Sequence, residues 1–139
     1  MEKWAFMGLI LGAMTVNAQV LDHYQWKNRL LFLVADRTDD PSLQRQLAAF
    51  ENHAVALKER DLMVFLMDRK KVFHKNGEMS TLDTSTTYHS LGLPLDFIGL
   101  VLVGKDGGVK YRADFPVPPN EIFDRIDAMP MRRAEMKNN

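Results

Sequence analysis

The chain contains no cysteine. That excludes disulfides, and with them any reaction that runs through a protein thiolate. It has no excess of charge of either sign: eighteen basic residues face eighteen acidic ones. Nothing in that total argues for nucleic acid or for an anionic membrane surface as partner. Internal repeats and low-complexity segments are also missing, and past the N-terminal stretch no apolar run is long enough to span a bilayer. What remains is an ordinary globular balance, 46% apolar and 26% charged over 139 residues, the size of one domain.

The first eighteen residues, MEKWAFMGLILGAMTVNA, place a lysine near the start, an apolar run from Trp4 to Val16, and Val16-Asn17-Ala18 ahead of Gln19. This is the three-part pattern of a signal peptide. As a helix the run would span about 20 Å, short of the roughly 30 Å of a hydrocarbon core, so cleavage between Ala18 and Gln19 is expected rather than anchoring. The expected product is exported, periplasmic or secreted, with no membrane span. With no cysteine beside the cleavage point, lipid attachment there is excluded. Small exported domains often depend on disulfides; residues 19–139 are numerous enough to bury a core without them.

Three short continuous apolar runs follow: RLLFLVA (Arg29 to Ala35), DLMVFLMD (Asp61 to Asp68) and FIGLVLVG (Phe97 to Gly104). Such runs suit strands covered on both faces, and their separation by helical stretches suggests a mainly parallel central sheet. Between the first two, Leu43, Leu47, Phe50, Ala54 and Leu57 recur every three or four residues, the stripe of an amphipathic helix from about Pro41 to Lys58. Asp39 or Asp40 can cap it, and Pro41 suits its first position. GKDGG (Gly104 to Gly108) reads as a hairpin turn into an edge strand, where Val109, Tyr111 and Ala113 alternate with polar residues. Pro118 and Pro119 open a last helix with Ile122, Ile126 and Met129 on one face and Phe123 beside them, which Pro130 should end. The rest, MRRAEMKNN, reads as a ragged tail, disordered over residues 137–139. In the least legible stretch, Arg69 to Asp96, Asn76-Gly77 marks a turn and Asp83 and Gly92 bracket a short helix.

Candidate chemical sites are sparse. His23, His53, His74 and His89 stand singly, without the spacing that faces one metal from one helix, so they read as surface or turn residues. Met129, Met131 and Met136 offer thioethers of the kind that hold Cu(I), but Met129 already belongs to an apolar stripe and Pro130 and two arginines break up the rest. The GKDGG turn lacks the Gly-Lys-Ser/Thr ending of a phosphate loop and joins two strands. Arg69, Lys70, Lys71, His74 and Lys75 are locally basic with only Phe73 among them, which describes a solvated loop rather than a nucleic-acid platform. No metal and no cofactor is expected.

Three stretches, ERDLMVFLMD (Glu59 to Asp68), LVLVGKDGGVKYR (Leu100 to Arg112) and IDAMPMRRAEM (Ile126 to Met136), resemble the DUDES-type domain of unknown function. That domain recurs in exported bacterial proteins and in equarin-like secreted matrix proteins. The resemblance covers about Gln25 to Met136. It implies an α/β, thioredoxin-like or peroxiredoxin-like single domain, residues 19–136, with a mixed central sheet of about four strands flanked by helices. Laid on such a fold, LVADRTDDP puts the position of the attacking thiol near Thr38, where no sulfur exists, and the position of the usual cis-proline near Ile98, where a cis bond would cost about 3 kcal/mol. The turn carries Asp36, Asp39 and Asp40 against Arg37, a field that favours cations. The expectation is therefore a non-catalytic binding module whose partner, a protein or envelope component, meets Asp36, Arg37, Thr38, Asp39, Asp40 and Arg112 together with the loop before Phe97. Two alternatives stand beside it. One is an enzyme using Thr38, Asp36, Arg37 and Arg112, with a histidine as base; the other is a structural module of envelope assembly.

Overall fold

The computed structural model describes residues 21–138. The expected signal peptide and its Ala18–Gln19 boundary lie outside them. In chain order the elements are β1 (Arg29–Val34), α1 (Pro41–Glu51), α2 (Ala54–Glu59), β2 (Leu62–Met67), β3 (Val72–His74), α3 (Thr84–Leu91), β4 (Gly99–Val103), β5 (Val109–Ala113), α4 (Pro119–Asp127) and α5 (Pro130–Asn138).

The sheet has five strands rather than four, in the order β3-β2-β1-β4-β5. Only β1 and β2 pair in parallel; β1–β4, β2–β3 and β4–β5 are antiparallel. The expectation of a mainly parallel sheet is thus corrected. Continuous apolar runs report that both faces are covered, and a central antiparallel strand such as β4 satisfies that as well as a parallel one does. The fifth strand, β3, escaped because three residues carry too little periodicity to be seen.

Alternation along the strands divides the core between the two faces. Leu31 and Leu33 of β1, with Leu100 and Leu102 of β4, meet Leu43, Leu47, Phe50, Ile122 and Ile126 from α1 and α4. Leu30, Phe32 and Val34 point the other way and pack with Phe65, Tyr88, Leu91 and Val101. Each helix expectation has its counterpart, with two corrections. The long helix from Pro41 breaks after Glu51, where Asn52 closes α1 and His53 precedes α2; the apolar stripe continues across the break, so spacing alone does not reveal it. Pro130 does not end a helix but occupies the first turn of α5, and the chain through Asn138 is helical rather than ragged. The α5 sequence has no apolar stripe to announce it. Its one buried residue is Arg132, so charged side chains hold it in place.

Candidate functional site

Two ends of the sheet collect polar chemistry. At the C-terminal end of β1 the chain turns from Ala35 into α1, and every charged residue of the turn has a structural partner. Asp40 Oδ1 accepts from the backbone N–H groups of Ser42 (2.8 Å) and Leu43 (3.2 Å), so Asp40 is the helix cap. Arg37 pairs with Asp39 at 2.8 Å, both in solvent. Thr38 takes part through its backbone: its carbonyl accepts from Gln44 Nε2 at 2.6 Å.

Asp36 is tied to Arg69, whose basic neighbours describe a solvated loop in sequence but whose guanidinium turns back onto the fold. Arg69 donates from Nε to Asp36 Oδ1 at 3.0 Å, with Nη2 at 2.7 Å from the same oxygen. Its Nη1 donates to the Tyr88 hydroxyl (2.5 Å) and to the Phe97 carbonyl (3.0 Å). One guanidinium thereby ties the turn, α3 and the loop before β4 together. Burial is the main influence on the Tyr88 phenol and raises its pKa; the neighbouring Arg69 opposes this only in part, so the ring stays protonated. The strand register explains the meeting. Val34 lies opposite Met67 in the parallel pair, and two further residues on each strand bring Asp36 level with Arg69. The turn is therefore less anionic than its own residues suggest. It frames a shallow depression of about 350 Å³ lined by Asp36, Arg37, Asp39, Asp40 and Pro41.

Arg112 is not gathered into this group. Its Nη1 and Nη2 donate to the carbonyls of Gly92 (3.3 Å) and Leu91 (3.2 Å), serving the C-terminus of α3. The histidines stand apart too: His23 before β1, His53 ahead of α2, His74 on β3 and His89 on α3. Among the described residues none is hydrogen-bonded to Thr38 or Asp36. The cis peptide bond found in the described residues, Phe115–Pro116, follows β5 and is not at Ile98. Beside the turn, Leu95 and Ile98 are exposed apolar residues flanking Phe97. Asp40→Ala should remove the cap and lower stability by about 1 kcal/mol; a shifted denaturation midpoint with an unchanged slope is the readout.

The opposite end of the sheet holds an ion-pair network that sequence reasoning missed. Arg29, 1% exposed, opens β1. Its Nη1 donates to the Arg60 carbonyl at 2.9 Å, and its Nη2 meets Glu135 Oε2 at 2.7 Å. Lys105 Nζ bridges Glu135 (2.7 Å) and Asp61 (2.9 Å). Arg60 forks onto Asp127 at 3.1 and 2.8 Å, and Arg132 adds 3.1 Å to the same carboxylate. The Glu135 carboxyl is pulled down to about 2, first by its bonds to Arg29, against burial, with Lys105 adding to the effect. At Asp127 burial acts upward, yet the bonds from Arg60 and Arg132 outweigh it and the net shift is downward. Glu59 to Asp61, the GKDGG turn and Asp127 to Met136, which lie in the three stretches behind the resemblance, converge here. The signal available in the sequence was that shared charge; its pairing across long separations was not readable.

A family model described as Domain of unknown function (DUF4174) matches residues 20–135. Coiled-coil domain-containing protein 80 of Danio rerio is 27% identical over 135 residues, covering 84% of this chain. The chain spans only 15% of that protein's length. Among solved structures, the reduced 2-Cys peroxiredoxin of Plasmodium vivax superposes with a TM-score of 0.57 at 15% identity, covering 84% of each chain. Thioredoxin peroxidase I of Plasmodium yoelii gives 0.53 at 15% identity, covering 86% of this chain and 81% of that one. At that identity the likeness establishes a thioredoxin-like fold alone.

Proposed function

The chain belongs to the DUF4174 family of domains of unknown function, and from that premise we propose that it is a non-catalytic binding module that meets its partner through the β1–α1 turn. The observation that carries this reading is that the turn in which a thioredoxin-like fold keeps its thiol has no sulfur here, and its charged side chains are already engaged with the fold or with one another. Asp40 caps α1, Asp36 is held by Arg69, and the backbone carbonyl of Thr38 accepts from Gln44 Nε2. What the turn offers outward is a firm, shallow surface: the Arg37–Asp39 pair beside exposed Leu95 and Ile98. A mixed apolar and charged face of this kind suits a protein or envelope component better than a small substrate, which asks for a concave site. Asp36 to Asp40 remain the contact residues of this reading, and Arg112 takes a structural part. Export to the periplasm or outside the cell, and kinship with equarin-like matrix modules, belong to the same proposal. Their support is the N-terminal pattern and the sequence resemblance.

The test is an in-cell crosslinking comparison of wild type with the Arg37→Ala/Leu95→Ala double variant. Both side chains are mostly in solvent, so folding should be unchanged. A partner recovered by wild type and lost by the variant supports the turn face; an identical partner list moves the binding surface elsewhere. Mass spectrometry of the recovered N-terminus should begin at Gln19 if the chain is processed and exported.

A further inference from the structure

The passage from β5 into α4 is rich in proline, Phe115-Pro116-Val117-Pro118-Pro119, and it lies along one side of α1. Gln46, 3% exposed, fixes the two together: its Oε1 accepts from the Val117 N–H at 2.6 Å, and its Nε2 donates to the Val117 carbonyl at 2.8 Å. Further on, Phe123 meets the Phe50 ring at 6.2 Å and the His53 ring at 5.6 Å, so the segment and the helix run side by side in the same direction. Between them is an open groove of about 490 Å³, whose helical wall is Ser42, Arg45, Gln46 and Ala49 and whose other wall is the proline segment. From Ser42 to Ala49 the helix rises about 10 Å, which sets the length of the groove. Pro116, Pro118 and Pro119 restrict the outer wall, so it is formed before anything binds.

The polar groups of the groove are few, and they differ in availability. The Gln46 amide is taken up by Val117. Arg45 Nη2 lies 3.4 Å from Ser42 Oγ, which holds the guanidinium over the groove wall, and among the described residues no ion pair engages it. No carboxylate lines the groove. Asp40, close by in sequence, is turned to the N–H groups of Ser42 and Leu43 and borders the depression at the β1–α1 turn instead. A cation without a carboxylate of its own, beside a preformed apolar wall, is complementary to an anion that carries a hydrocarbon body.

We propose that this groove binds a straight-chain carboxylate. Its anionic oxygens meet Arg45 and the Ser42 hydroxyl, and its chain runs past Ala49 between α1 and the proline segment. An extended chain of about eight carbons, with bonds of about 1.5 Å, covers the length available. Arg37, Leu95 and Ile98 do not line the groove, so this site and the proposed face at the β1–α1 turn can fail independently.

Octanoate, butanoate and octanamide are the probes, titrated into the purified, isotope-labelled protein while its backbone amide resonances are followed. Octanoate should bind with a dissociation constant of about 1 mM, the scale set by its few heavy atoms, and should shift the amides of Ser42 to Ala49 and of Val117 most. Butanoate, with its shorter chain, should bind at least about tenfold more weakly. Octanamide, of equal length but uncharged, should bind about fivefold more weakly. Arg45→Gln should weaken octanoate about fivefold and leave octanamide unchanged. Ala49→Leu fills the apolar end and should erase the advantage of octanoate over butanoate. A thermal melt checks that each variant is folded; Arg45 is exposed, so its variant should melt as wild type does, and it decides if Ala49→Leu is unfolded. Absence of octanoate binding in wild type, amide shifts confined to another face, butanoate or octanamide bound as tightly as octanoate, or octanoate affinity unchanged in a folded Arg45→Gln would each overturn the assignment.

Discussion

Glu135→Ala is expected to lower stability by about 3–5 kcal/mol, because it leaves the buried Arg29 guanidinium and the nearly buried Lys105 without their shared carboxylate. Removing one partner of a buried pair costs more than the pair contributes, since the surviving charge stays in a poorly solvated place. Glu135→Gln keeps an acceptor for one bond and should cost about half as much. Asp61→Asn, whose carboxylate is half in solvent, should cost under about 1 kcal/mol. Urea denaturation of the three variants at neutral pH measures the ranking. If Glu135→Ala is no worse than Asp61→Asn, α5 is not held by this network.

The same carboxylate sets an acid limit. Glu135 has a pKa of about 2 in the folded chain against 4.5 for an ordinary glutamate. A depressed carboxylate stabilises the fold above its unfolded pKa, and that contribution disappears as pH falls from about 4.5 to about 2. Allowing for screening at a side chain 26% exposed, about 2–3 kcal/mol should be lost across that window. In Glu135→Gln this part of the pH dependence should vanish, while the part belonging to Asp127 persists. Equal acid sensitivity in wild type and Glu135→Gln would place the linkage elsewhere.

Phe65→Ala should cost about 3–5 kcal/mol, the usual range for truncating a fully buried phenylalanine. Phe65 stacks on Phe32 at 5.3 Å and meets the edge of Tyr24 at 5.5 Å. Its loss empties the middle of one face and releases Tyr24, which holds the segment ahead of β1. Phe65→Leu keeps most of the volume and should cost about 1.5 kcal/mol or less. Thermal and denaturant midpoints should fall in that order with the denaturant slope unchanged. A loss below about 2 kcal/mol in Phe65→Ala would mean that the helix over this face settles into the gap.

Particular residues show why some of this architecture was legible and some was not. Leu30 to Val34, Leu43 to Phe50 and Ile122 to Ile126 declare their burial through local spacing, and Asp40, Asp83 and Gly92 declare helix ends through chemistry that acts within three residues. At the turn, the absence of sulfur and an aspartate cap at Asp39 or Asp40 were readable, whereas the choice of Asp40 and the hold of Arg69 on Asp36 were not. That contact joins residues 33 apart in the chain and exists only because β1 and β2 pair in parallel and in register. The ion-pair network is the extreme case. Glu135 and Arg29 are 106 residues apart, and no local pattern marks either as buried.

By itself, then, the sequence determined the α/β class, the strands covered on both faces, the capped helices and the impossibility of thiol chemistry. Each follows from periodicity, from backbone hydrogen bonding within a few residues, or from the presence or absence of an atom. The tertiary structure alone decided strand direction, the helical C-terminus, the hold of Arg69 on the β1–α1 turn and the ion-pair network at the far end. These depend on which distant charges are brought together away from water, and a charge unpaired along the chain shows its partner only when the chain is folded.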